Sequence, residues 1–174
     1  MFLDQSKMEN KENQRLMLNF GMYDFALYFI KYRTEDKYTL GKEHQAMVKQ
    51  CYRFLIRFVR GNRHSQGKLR DHLDAFLKDI EKYNLAIQLV YEIFKDNKKF
   101  LNLNASKILK RISNASEKAE LNNSKKGQMY KLLTAFCRCK DKLVRANQQD
   151  IVVYLTVKGP LSNIFSLFVG EGVK

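Results

Sequence analysis

The chain has 174 residues, 45% of them hydrophobic, with one proline and eight glycines, which suits one helical globular domain with a sizeable core and excludes a disordered tail. The formal net charge is +14, so an anionic partner is expected: nucleic acid, a phosphorylated ligand, an acidic protein surface or a lipid headgroup layer. The longest apolar runs, such as Phe25 to Ile30, fall far short of the ~20 residues that span a bilayer.

The opening, MFLDQSKMENKENQ, has no apolar core preceded by positive charge and does not read as a secretory signal. Met8 to Asn19 has helical spacing with Met8, Leu16 and Phe20 inward, and Gly21 ends it. Met22 to Tyr32, MYDFALYFIKY, is apolar almost all round, as expected of a helix covered on both sides. Residues 33 to 41 are a polar loop.

The longest helix follows, from Lys42. Met47, Val48, Cys51, Phe54, Leu55, Phe58 and Val59 recur at steps of three and four and form its buried face. On the other side Lys49, Arg53, Arg57 and Arg60 form a cationic stripe. The helix stops at Gly61-Asn62, where a left-handed residue closes it. A second helix begins near Ser65 and carries Gln66, Leu69, His72, Phe76 and Leu77, completing an antiparallel hairpin.

Ile80 and Tyr83 lead into a helix from Leu85 to Phe94, with Leu85, Leu89, Ile93 and Phe94 on one side. Asn97 to Asn104 reads as a turn plus a short helical piece, and Ala105 to Ser113 places Ile108, Leu109 and Ile112 on one face. Ser113 to Gly127 lacks apolar period and reads as a helix end and surface loop. Gln128 to Cys139 resumes with Met129, Leu132, Leu133, Phe136 and Cys137. Ile151 to Val157 alternates like a strand, but a lone strand has no partner, so one helix is expected from about Leu143 to Thr156. Gly159-Pro160 ends it. Ile164, Phe165, Leu167 and Phe168 beyond it need burial, in a cap or against a neighbour.

Phe54-Leu55, Phe58, Gly61-Asn62, Gln66, Leu69, His72 and Phe76-Leu77 resemble the central signature of the RIH domain, the helical module shared by inositol trisphosphate receptors and ryanodine receptors. Asn13 to Leu16 with Asn19 and Gly21 resembles its opening helix, and Tyr130 to Leu133 with Lys142 to Ile151 resembles its close. The likeness spans about residues 10–157, within a single domain of residues 1–174 whose last stretch, 158–174, caps or docks. It implies an all-α, armadillo-like helical solenoid of antiparallel helix pairs, in agreement with the succession of short amphipathic helices. The signature looks closer to the second, central RIH domain of an inositol trisphosphate receptor, or to the ryanodine receptor version, than to the first RIH domain.

In the first RIH domain of those receptors, basic residues on the opening helix and a Tyr and a Lys after the long helix complete the ligand pocket. By resemblance, Lys11 and Arg15 fall at opening-helix contact positions. Leu18 stands where another basic residue is expected, and Asn62 and His64 stand at the Tyr and Lys positions. A phosphate pocket needs paired cationic donors, so these departures argue against inositol phosphate binding.

Cys51, Cys137 and Cys139 are an odd set that argues against a disulfide framework and for a reducing compartment. Neither they nor His44, His64 and His72 have metal-ligand spacing. No phosphate-cradling loop, nucleophile motif or carboxylate pair is present, so neither catalysis nor a cofactor is expected, and His72 reads as a packing histidine. The stripe of Lys49, Arg53, Arg57 and Arg60 is the candidate interface, without the interleaved aromatics that base stacking uses. The expectation is a non-catalytic scaffold from the cytosolic part of an intracellular calcium-release channel at the endoplasmic reticulum or a related store. Its partners would be other domains or subunits of the assembly. The alternative is a stand-alone basic helical module that binds nucleic acid.

Overall fold

The computed structural model describes residues 11–32, 41–101, 123–140 and 142–153, with 108 and 110 besides. Two compact units divide the chain, Met1–Ile93 and Phe94–Lys174. The class is all-α: among the described residues the only strands are two of two residues each.

In the first unit, α1 (Lys11–Asn19) and α2 (Met22–Tyr32) are joined through Gly21, whose φ of 63° is the left-handed conformation the sequence demands there. Both pack on α3 (Lys42–Val59). Val48, Cys51, Leu55, Phe58 and Val59 are buried as the spacing requires, together with Tyr52 and Ile56, while Phe54 is half-buried and Met47 exposed. An 18-residue helix sandwiched by neighbours buries more than one stripe, which is why the seven-residue face was too narrow.

Gly61 at φ 65° turns the chain out of α3, and Asn62, with φ −119°, caps the next helix instead of sharing the left-handed turn. Its Oδ1 accepts from the backbone N–H of His64 and Ser65 at 3.1 and 3.2 Å, satisfying donors that would otherwise be orphaned. The helix that follows is two pieces, α4 (Arg63–Arg70) and α5 (Leu73–Lys78), parted at His72, whose φ of −106° and ψ of 10° leave the helical basin. α6 (Asn84–Phe94) buries Ala86, Ile87, Leu89, Val90 and Ile93, a wider face than the sequence suggested.

Besides Met47, inward assignments on α1 and α2 fail in this unit. Leu16 and Phe20 are exposed, and it is the polar Gln14 that α1 buries; its amide finds carbonyl partners inside, which hydropathy does not register. Nor is α2 covered on both sides: Ala26, Leu27 and Ile30 are buried, whereas Met22, Phe25, Tyr28 and Tyr32 are exposed. Apolar content shows that a face could be covered, not that it is.

In the second unit, α7 (Lys98–Leu101) buries Phe100 and Leu101, and Ile108 is helical and buried. The helix α8 (Asn123–Cys137) begins four residues before Gly127, inside the stretch read as loop. Asn, Ser and Lys have small helix penalties, so turns propagate outward from the packed Leu132 to Phe136 segment. Phe136 meets Phe94 at 4.7 Å between ring centroids. α8 ends at Cys137 and not at Cys139. Arg138–Cys139 (β1) pairs antiparallel with Lys142–Leu143 (β2), Arg138 opposite Leu143, across a turn in which Lys140 takes φ 54°. A non-glycine left-handed residue gives no turn signal in sequence. α9 (Arg145–Val153) then packs on α8, so Ile151 to Val153 are helical, as expected from the lack of a partner strand. Asn147 fastens it by donating to the carbonyls of Leu101 (2.7 Å) and Phe136 (3.0 Å). Met8, residues 33–40, Leu109, Ile112 and the segment after Val153 lie outside the described residues.

Candidate functional site

Arg60, Asn62 and Gln66, singled out in sequence, come together where α3 ends and α4 begins. Gln14 Nε2 donates to the carbonyls of Arg57 (2.9 Å) and Arg60 (3.0 Å), serving carbonyls that the last turn of α3 leaves without helical partners. Asn62 Nδ2 donates to Gln14 Oε1 at 3.0 Å. Arg60 Nε donates to Glu92 Oε1 at 3.2 Å, from an Arg side chain 41% exposed to a Glu side chain 7% exposed. Gln66 Nε2 donates to the Glu92 carbonyl at 2.8 Å, in the interior. One continuous set of bonds thus ties α1, α3, α4 and α6 together.

This accounts for the signature in physical terms. Gly61 supplies a backbone turn, Asn62 a cap, Gln66 a buried tether, and Phe58, Leu69, Phe76 and Leu77 the apolar packing. Beneath it, buried Tyr52 donates to Asp79 Oδ2 at 2.6 Å and stacks on Tyr83 at 5.9 Å. The signature holds helices in place; sequence reasoning missed Gln14, Tyr52, Asp79 and Glu92 as members, although Gln14 stood in the opening-helix resemblance.

The cationic stripe is uneven. Lys49 and Arg53 are exposed, Arg57 is half-buried, and Arg60 is turned to Glu92. Lys11 and Arg15 are exposed on α1 and Leu18 is half-buried. At the two positions after the long helix, the Asn62 side chain is taken up by its cap and by Gln14, and His64 is exposed.

His72 lies half-buried with Nδ1 2.9 Å from Lys31 Nζ. Desolvation, then the Lys31 charge, hold its pKa below the ordinary histidine value against the pull of Asp71 and Asp24. The three cysteines are free, and burial pushes the Cys51 and Cys137 thiols up, the opposite of what a reactive thiolate needs. Among the described residues no group of three or more His, Cys, Asp or Glu could hold a metal, and no helix is long and apolar enough to cross a membrane.

Compared with protein families, residues 3–159 match the model described as the RIH domain. Comparison with curated proteins gives no match.

Proposed function

The chain belongs to the RIH domain family, and from that premise we propose that it is a non-catalytic helical scaffold in the cytosolic part of a ligand-gated calcium-release channel, coupling ligand-binding and pore regions. The match over residues 3–159 carries the reading. The bonds among Gln14, Asn62, Arg60, Gln66 and Glu92 support it, because a set of polar groups spent on tying four helices together transmits displacement instead of performing chemistry. In this reading residues 1–174 form one armadillo-like domain, closest to the central, second RIH domain of an inositol trisphosphate receptor. The channel would lie in the endoplasmic reticulum or a related store membrane, with this domain on the cytosolic face. Lys49 and Arg53 would meet an acidic surface of another domain or subunit.

The test is calcium release from store vesicles carrying the full parent polypeptide, with and without Gln66→Leu. Release that the variant uncouples from ligand, with ligand binding retained, supports the scaffold. A parent polypeptide without membrane spans or calcium flux overturns it in favour of a basic module that binds nucleic acid, one of the anionic partners that the +14 charge admits.

A further inference from the structure

The β1–β2 hairpin carries two of the three free thiols on one face. Arg138 pairs with Leu143 and Cys139 with Lys142. The backbone N–H of Val144 donates to the carbonyl of Cys137, the last residue of α8, at 2.9 Å, which carries the ladder one residue further back. Successive side chains on a ladder alternate between its faces. Cys137 and Cys139 therefore share a face and Arg138 takes the other, and exposure follows: both cysteines are half-buried and Arg138 is exposed. The turn of the hairpin is clamped. The Lys140 N–H donates to Asp96 Oδ1, and Arg138 Nε donates to the Lys140 carbonyl at 2.8 Å, so the two thiols are positioned before any ligand arrives.

We infer that Cys137 and Cys139 form a binding site for a single soft, thiophilic cation, Cu(I), bridged between their two sulfurs. The spacing selects an ion over a disulfide. Two residues along a strand rise ~6.6 Å, and Cβ atoms on one face stand parallel and keep that separation, whereas a disulfide brings them to about 3.8 Å. An ion between the sulfurs fills the difference with two metal–sulfur bonds, each about 2.3 Å in zinc thiolates. The donor set selects the ion. Structural zinc takes four ligands, and among the described residues no group of three or more His, Cys, Asp or Glu could hold a metal. Cu(I) prefers thiolates and is satisfied by two of them. Binding forms two S–Cu bonds and releases both thiol protons to solvent, with no change of oxidation state. The complex carries a negative charge, and Lys142 lies directly opposite Cys139 across the ladder to offset it. Burial pushes the Cys137 thiol up, which slows its ordinary thiolate chemistry, whereas a coordinating ion deprotonates it outright. The inference stands on the hairpin alone and does not depend on the channel reading.

The test uses the full chain, reduced and free of oxygen, titrated with Cu(I) against bathocuproine disulfonate as a coloured competitor. A single Cu(I) should bind per chain, and X-ray absorption should show two sulfur neighbours. Cys137→Ser and Cys139→Ser should each lower the affinity by about a hundredfold or more, because losing either thiol ends the chelate, and the double variant should fall little further. Zn(II) should compete poorly. Circular dichroism checks that each variant folds, and a second measurement needs no variant: bound Cu(I) should protect Cys137 and Cys139 together from N-ethylmaleimide in the wild-type chain. Absence of Cu(I) binding, affinity unchanged in the double variant, protection of one cysteine alone, or tight Zn(II) competition overturns the inference. So does ready formation of a Cys137–Cys139 disulfide in glutathione disulfide, which would show the thiols closer than the ladder sets them.

Discussion

Gln66 Nε2 reaches the backbone carbonyl of Glu92 at 2.8 Å, so the first turns of α4 are bonded to the last turn of α6 inside the protein. Both residues are buried, Gln66 to 2% and Glu92 to 5% exposure, which makes the bond expensive to lose. Gln66→Leu keeps the approximate volume and strands the carbonyl, so unfolding free energy should fall by about 1 to 3 kcal/mol. Urea titration measures it; an unchanged midpoint would mean that the carbonyl finds water.

Phe58 is 1% exposed and sits between Tyr23, stacked at 5.5 Å and 6°, and Phe54, stacked at 6.0 Å and 16°. Phe58→Ala removes a ring from between two others and leaves a cavity that α2 and α3 cannot close without moving. The expected cost is about 3 to 5 kcal/mol. A thermal melt within error of wild type would contradict this packing.

The contact between Lys31 and His72 has a defined pH dependence. A neutral His72 Nδ1 accepts from the Lys31 ammonium, whereas a protonated ring faces it as a like charge. Because the folded pKa is depressed, the unfolded chain takes up the proton first. The stabilising contribution is therefore complete above the ordinary value of about 6.5 and is lost as pH falls through that value toward the lower folded one. Chemical denaturation between neutral and mildly acidic pH should show this loss, and Lys31→Met should diminish it. An identical pH profile in that variant would assign the effect to desolvation alone.

Inositol trisphosphate should not bind the chain measurably. Lys11 and Arg15 are exposed on α1, but Leu18 carries no charge, the Asn62 amide is bonded to Gln14, and His64 stands alone where a phosphate needs paired cationic donors. Micromolar binding in calorimetry would show that cations elsewhere on the surface assemble a pocket.

What the sequence made legible follows from how far each signal reaches. Periodicity located α3 and α6, because burial of one face repeats with the helix. Gly21 and Gly61 marked helix ends through a backbone need that one residue type meets. The β1–β2 hairpin escaped since Lys140 adopts its left-handed conformation without glycine. Gln14 escaped because a buried amide is defined by the carbonyls of Arg57 and Arg60, more than forty positions along the chain. For the candidate interface, the step of four between Lys49 and Arg53 was enough to place both on an exposed face, yet nothing local indicated that Arg60 belongs to Glu92.

That division of the cationic stripe yields the last prediction. Arg60 is half-buried against a carboxylate that is itself nearly inaccessible, and among the described residues Glu92 Oε2 has no hydrogen-bond partner, so removing the guanidinium takes away the contact that Glu92 Oε1 makes. Arg60→Ala should destabilise the chain by about 1 to 3 kcal/mol. Lys49→Ala and Arg53→Ala, on the exposed part of α3, should each change stability by no more than about 0.5 kcal/mol. If the exposed pair meets an acidic protein surface, the double variant should slow association with that partner and flatten its salt dependence. Nucleic acid held through the same residues would instead bind at near-physiological salt, with an affinity that falls steeply as salt rises. Oligonucleotide titration of wild type and of Lys49→Ala/Arg53→Ala at that ionic strength separates the two. Weak binding that both proteins share reflects bulk charge and agrees with a protein partner, whereas tight wild-type binding that the variant loses would make the stripe a nucleic-acid surface.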